Sequence, residues 1–249
     1  GVVLPLSGPK AIFGKRALEG IDSGFRDFLR RKSGGENSFK MFVEDSKASA
    51  VIGSYSVKKL IQKYKVSVII GGLFSDEAEK EYMEAKKKGI FFVSLSQVYL
   101  PKEKKDHLLL EIPGSVESQV NKLFSEDILK RFGKRVAIVH PEGGRGKAYI
   151  DEFWRKSKLK GVDVNGIVSF QKGRSDYRDP IKNLLGLKFK RERQEELEIL
   201  SEIHSLEKGT STRRIQTLKP QIDFDWVFVP ALPREALQIV PAFNYYDAF

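Results

Sequence analysis

Apolar and polar positions along the chain alternate between two rhythms. Val2-Val3-Leu4-Pro5-Leu6 is a short apolar run, Ser7-Gly8-Pro9 stops it, and Phe13 to Ile21 then places apolar residues at helical spacing, which predicts a strand, a turn and an amphipathic helix. The same unit recurs. Phe39 to Asp45 alternates as a strand and Ala48 to Lys63 follows as a helix. Val66-Ser67-Val68-Ile69-Ile70-Gly71-Gly72 is nearly continuous in apolar residues, as a parallel strand covered on both faces would be. A helix from Ser75 to Lys88 and a strand at Ile90-Phe91-Phe92-Val93 come next. Strands alternating with helices of this length imply right-handed crossovers and parallel sheets with helices on both faces, the α/β class.

After the lysine-rich stretch Pro101 to Asp106, a short strand and turn at Leu108 to Ser115 open a second series. It predicts a helix from about Ser115 to Phe132 and a strand at Val136-Ala137-Ile138-Val139. A helix from Lys147 to Leu159, a strand from Val162 to Phe170 and a helix from about Asp179 follow. Trp226-Val227-Phe228-Val229 and Arg234 to Phe243 form the last pair. Two lobes, residues 1–114 and 115–249, are the simplest organisation. Residues 186–222 interrupt the second series: Lys188 to Lys208 is charge-dense with Leu197, Leu200, Ile203 and Leu206 at helical spacing, and Gly209 to Arg214 reads as a turn. That segment reads as a charged helical insertion.

Composition narrows the function. With 249 residues, 41% of them hydrophobic, and no Cys, the chain can bury a core without a disulfide or thiolate metal site. No run reaches the roughly 20 apolar residues of a membrane-spanning helix, and a chain that opens directly on a strand reads as trimmed ahead of Gly1. The net charge of +11 is spread evenly: residues 1–117 carry 20 Lys and Arg against 15 Asp and Glu, and residues 118–249 carry 24 against 18. Such interleaving describes solvated surface and not a groove-binding stripe, so no specific nucleic-acid partner is expected.

Catalytic patterns are absent from the sequence. His107, His140 and His204 have no metal-ligand spacing, and no nucleophile-base pair is marked out. Gly143 to Ala148 approaches a phosphate-binding loop but has Pro141 where the pattern needs its first Gly and Ala148 where it needs Ser or Thr. We expect no enzyme, no cofactor and no metal. Ligands of open α/β sheets bind at the carboxyl ends of the strands. That rule selects Leu6, Ser7 and Gly8 after the first strand, and Gly72, Phe74 and Ser75 after the third. It also selects Ser94, Ser96 and Gln97 after the fourth, Arg145 in the glycine-rich loop, and Ala231 near the end. Ser75 reads equally as a helix cap. Ser94 and Ser96 share a face and could donate to one ligand, or simply form a polar strand exit. Asp176 reads as a cap, with Tyr177 free to act as a lid, and Arg145 reads as a bidentate carboxylate contact or a solvated side chain.

In order, these landmarks resemble the type I periplasmic binding-protein superfamily that includes the leucine/isoleucine/valine-binding proteins. The residues that carry the resemblance are Val3 to Gly8 with Phe13 to Gly20, Val68 to Gly72 with Ser75, and Gly89 to Ser94. Val136 to His140 with Gly146, Asp176-Tyr177, and Phe224 to Ala231 continue it. The resemblance implies two Rossmann-like lobes with a ligand cleft between them and an envelope location, with a lipid anchor on the precursor as one form of it. It also implies a small amino-acid-like or carboxylated solute, a membrane permease as partner, and further chain past Phe249 completing the first lobe. Where the amino-acid receptors carry tyrosines, this chain has Arg145 and Ala231-Leu232-Pro233. Lys219 to Asp225 and Ala236 to Asp247 resemble a narrower branch, the lipoprotein activators of penicillin-binding proteins, whose partner is a peptidoglycan synthase and not a transported solute.

Overall fold

The computed structural model describes residues 1–31, 39–206 and 218–248, with the side chains of Leu200, Ser201 and 203–206 left aside. The chain divides into two compact units, Gly1–Gln119 and Val120–Phe249. Both are α/β with parallel strands, as expected.

Unit 1 is built from β1 (Val2–Leu4), α1 (Ala11–Arg31), β2 (Val43–Asp45), α2 (Ala50–Tyr64), β3 (Val68–Gly71), α3 (Ser75–Lys86), β4 (Phe91–Ser94) and β5 (Leu109–Glu111). Its parallel sheet has the order β2-β1-β3-β4-β5, with Leu4 opposite Asp45 and Gly71 opposite Ser94. The chain leaves β1 toward one edge to make β2 and returns on the other side as β3. Two loops therefore diverge between β1 and β3, which makes a topological switch point there. Fully buried Val57 and Leu60 of α2, Ala78 and Tyr82 of α3, and Ile69 and Phe92 of the sheet form the core. At roughly 25 cal/mol per Å2 of apolar surface removed from water, this burial is the main force holding the helices on the sheet.

After α4 (Val116–Leu123) and α5 (Glu126–Phe132), β6 (Arg135–Pro141), α6 (Gly144–Lys160), β7 (Asp163–Phe170), α7 (Arg178–Leu184), α8 (Gln194–Leu206), β8 (Trp226–Phe228) and α9 (Pro233–Tyr245) follow. The sheet order is β7-β6-β8, all parallel, so a second switch point lies at β6. Ile181, Leu185, Ile239 and Phe243 bury one face of it, and Phe153 stacks on Phe228 at 4.9 Å on the other.

Several expectations need correction. The helix predicted over Ser115 to Phe132 is two helices. Phe124 between them is buried against Phe153 at 4.8 Å, and Ser125 is extended with φ −65° and ψ 148°; anchoring the ring turns the chain where propensity would have continued the helix. Of the strand predicted over Phe39 to Asp45, Val43–Asp45 forms. The helix expected from Lys147 begins at Gly144, which puts Arg145 in its first turn and not in a loop. The charged insertion does form a helix, α8, whose Leu197 packs on the core of unit 2, while the turn predicted over Gly209 to Arg214 lies outside the described residues.

Candidate functional site

In each unit the first β-turn-α element is tied down in the same way. Gly14 of α1 sits so close to the end of β1 that a Cβ would collide with the Pro5 carbonyl, and Gly146 of α6 would collide likewise with the carbonyl of Pro141. Glycine lets each helix start hard against its strand, which holds the loop between them at the carboxyl edge.

At the unit 1 switch point, the loop after β1 is fastened through Asp45. Its Oδ1 accepts from the Leu6 and Lys47 amides at 2.8 Å each. Burial disfavours the ionised carboxyl, but hydrogen bonds from the Ser7 hydroxyl and the Lys47, Leu6 and Ser7 amides outweigh it and hold the group below the usual Asp range. Ser7 is itself exposed, and its hydroxyl is spent on Asp45. Lys47 and Ala48, next along, both have positive φ (53° and 55°). Two consecutive non-glycine residues in the left-handed region are strained, and the Asp45 and Ser46 contacts hold them there.

The loop after β3 turns on Gly72, whose φ of 62° suits glycine and whose N–H donates to Glu81 Oε2 at 2.7 Å. Phe74, not Ser75, is the N-cap of α3. Its carbonyl accepts from Glu77 and Ala78, and Ser75 is the first helical residue, so the capping role expected of Ser75 is overturned. The Phe74 ring meets the exposed Phe13 ring edge to face at 6.2 Å, and Lys10 Nζ stands 4.1 Å from the Phe74 centroid. Lys10, Phe13 and Phe74 thus join the two diverging loops across the switch point.

Beyond β4, Ser94 is fully buried and its hydroxyl donates to the Ser96 carbonyl at 2.7 Å; Ser96 Oγ donates to the Gly72 carbonyl at 2.6 Å. The pair that could have donated to one ligand instead ties the β4 exit to the Gly72 turn. Gln97 Nε2 donates to the Gly114 carbonyl, and Gln97 Oε1 accepts from the Tyr99 hydroxyl. These residues shape the edge from beneath.

In unit 2, Arg145 and Ala231 come together. Half-buried Arg145 donates from Nη2 to the Ala231 carbonyl at 3.3 Å, joining the start of α6 to the loop after β8 across the second switch point. The guanidinium is turned back on its own unit, so the simple picture of a solvated side chain does not describe it. His140 Nδ1 lies 3.0 Å from the Pro141 carbonyl at the strand exit. Tyr177 is no lid: it is 3% exposed and packs edge-on against Phe170 at 5.1 Å. Asp176 accepts from the Arg178 amide at 2.9 Å, and Tyr177 occupies the N-cap position. Among the described residues no group of His, Cys, Asp or Glu is arranged to hold a metal ion, and no helix is long and apolar enough to cross a membrane.

The sequence reading missed Lys10 and Phe13 as site residues, although Phe13 stood in a motif it used, and it missed Glu77 and Glu81 altogether. Both acids lie on the inner face of α3, 3% and 0% exposed. The signal was their spacing with Ala78, Tyr82 and Ala85, hidden because α3 is otherwise strongly polar.

Among solved structures, a periplasmic binding protein from Burkholderia mallei matches with a TM-score of 0.62 at 17% identity, over 99% of this chain and 56% of its own. A putative branched-chain amino acid ABC transporter protein from Rhodospirillum rubrum matches with a TM-score of 0.62 at 14% identity, over 98% and 60%. An ABC-transporter solute-binding protein from R. palustris, solved in complex with 4-hydroxybenzoate, matches with a TM-score of 0.56 at 19% identity, over 98% and 57%. At such identities the likeness is one of fold, and this chain spans little more than half of each of those proteins. No curated protein matches the chain. The model of the periplasmic binding protein family matches residues 1–188, most of the sequence, and the chain therefore belongs to that family, of the type I kind that is similar to the leucine/isoleucine/valine-binding proteins.

Proposed function

We propose that the chain is a receptor region of a periplasmic solute-binding protein serving an ABC transporter, and that it binds without chemical turnover. In this reading the ligand is a small carboxylated molecule, amino-acid-like or otherwise, with an apolar body, and its permease is the protein partner. The observation that carries the reading is the switch-point group of unit 1. An exposed Phe13 ring is held edge-on to Phe74, and the Lys10 ammonium stands 4.1 Å from the Phe74 centroid. Aromatic faces offer an apolar solute a large contact at low entropic cost, and the ammonium beside them offers a carboxylate its counter-charge. Ser75, in the first turn of α3, adds the positive end of a helix dipole to the same place. The strain stored at Lys47 and Ala48 belongs to the same edge.

The family supports a location in the periplasm. None of the three structures described above is named as an activator of a cell-wall synthase, and no observation favours that second reading over the first.

The test is a thermal-shift and calorimetric screen of amino acids and of aliphatic and aromatic carboxylates against the 249-residue chain. A ligand that binds only the folded state raises its stability, by about 2.7 kcal/mol at a hundredfold excess over Kd. We expect at least one carboxylate to stabilise the chain, and Phe13→Ala and Lys10→Ala each to reduce that shift. A panel that leaves the transition unmoved, or a ligand indifferent to both substitutions, overturns the reading.

A further inference from the structure

Helix α3 presents two carboxyl groups to the interior of unit 1, one turn apart, and each takes hold of a different loop of the carboxyl edge. Glu77 Oε2 accepts from the Ser46 hydroxyl at 2.5 Å, on the loop after β2, and Glu81 Oε2 accepts from the Gly72 amide at 2.7 Å, on the loop after β3. Around the Glu81 carboxyl the backbone has been cleared of side chains. A Cβ at Gly71 would stand 2.6 Å from Oε2, and one at Gly53, in the first turn of α2, would collide with Oε1. A glycine inside a helix costs about 1 kcal/mol relative to alanine, and here it makes room for one carboxyl oxygen. That oxygen, Oε1, is buried and has no hydrogen-bond partner among the described residues.

We propose that Glu81 is a positioning residue for the switch-point edge: seated in the cradle of Gly53 and Gly71, it holds the Gly72 turn in its left-handed conformation and thereby sets Phe74 and the start of α3. Its surroundings decide the form in which it does so. Glu81 faces Glu77 from its own helix, Gly53 from α2, and the region of Gly71 and the Val3 carbonyl from the sheet. The charge acting on it is that of Glu77, which in turn feels Lys10 as an opposite charge and Asp76 and Asp45 as like charges. Burial, with Glu77 adding to it and the Gly72 hydrogen bond opposing it, pushes the Glu81 carboxyl up to about 8. Glu81 is then a neutral acid at pH 7, and the turn is held without an unpaired charge in the core.

The sign follows from linkage. A carboxyl raised in the folded state contributes stability in full below its unfolded value of about 4.3. That contribution is lost steadily as pH rises to about 8, at about tenfold in the folding equilibrium constant per pH unit.

The test needs no ligand, so its failure would leave the binding reading standing. Side-chain 13C NMR of the 249-residue chain should show the Glu81 carboxyl titrating with a midpoint above pH 7; a midpoint below pH 7 overturns the proposal. Glu81→Gln keeps a neutral acceptor for Gly72, so it should preserve the Gly72 amide shift and its exchange protection. It should also remove one proton's worth of slope from the denaturation profile between pH 5 and 8. Glu81→Leu should lose Gly72 protection at least tenfold. Equal Gly72 protection in parent and Glu81→Leu, or an unchanged pH slope in Glu81→Gln, overturns it; should the Leu variant not fold, the parent titration and the Gln variant decide.

Discussion

The two units share one construction and fill it differently. Gly14 over Pro5 in unit 1 and Gly146 over Pro141 in unit 2 seat the first helix against the first strand by the same close approach. Their interiors diverge. Of the buried polar side chains among the described residues, Ser46, Ser56, Glu77, Glu81, Ser94 and Gln97 belong to unit 1 and Ser157 alone to unit 2. Unit 1 holds its carboxyl-edge loops with side-chain hydrogen bonds to backbone: Asp45 to Leu6, Ser96 to Gly72, Glu81 to Gly72. Unit 2 is held by rings, with Phe153 stacked on Phe228 and in contact with Phe124 and Trp226. A buried polar network fixes one geometry because each misplaced group loses a hydrogen bond it cannot regain from water, whereas an aromatic core gives stability with less positional demand. The unit with the polar interior is the one whose edge carries the candidate ligand group.

That contrast can be broken by substitution, and both tryptophans, Trp154 and Trp226, lie in unit 2, so their fluorescence follows that unit alone. The largest effect should come from Phe153→Ala. It removes a fully buried ring from the centre of the stack and should destabilise unit 2 by about 3–5 kcal/mol. The tryptophan transition would move to lower denaturant while amide exchange in unit 1 stays as it was. Loss of protection in unit 1 to the same extent would mean the units do not stand as separate cores.

Gly14→Ala and Gly146→Ala come next, at about 1–3 kcal/mol each, because the added methyl meets a backbone carbonyl that cannot yield without moving a strand end. Similar costs in the two units would sharpen the parallel; a cost in one and none in the other would break it. The smallest effects separate the buried hydroxyls. Ser94→Ala leaves the Ser96 carbonyl without its donor and should cost about 1 kcal/mol. Ser157→Ala, whose hydroxyl donates back to the Trp154 carbonyl within its own helix, should cost only a few tenths. If Ser157→Ala proves as costly as Ser94→Ala, the polar interior of unit 1 is not special.

Most of the strands and helices were legible from periodicity. β6 is buried on both faces, whereas β3 and β4, whose apolar runs read as covered on both faces, bury one face in the core and leave Val68 exposed and Ile70, Phe91 and Val93 only half-buried on the other. The errors fall where a single side chain answers to a distant partner. Ser75 looked like a cap because Ser usually is one, but the chain enters α3 one residue earlier, with Phe74 extended (φ −118°, ψ 144°) and its ring against Phe13. Tyr177 looked available beside a helix start, and the core of unit 2 took its ring. Ser94 and Ser96 sit where expected, yet which acceptor each hydroxyl chooses depends on how close the Gly72 turn comes, and no local rule supplies that distance.

By itself, then, the amino-acid sequence determined the α/β alternation, the parallel sheets and the family. These rest on where apolar surface must be hidden and on turn chemistry, both of which act over a few residues. Only the tertiary structure decided that Phe13 meets Phe74, that Arg145 turns to Ala231, and that two acids of a highly charged helix face inward. A Glu on a polar helix carries no mark of burial in its neighbours along the chain. Gly53, 28 positions before Glu81, makes the room for its carboxyl, and folding alone brings the two together.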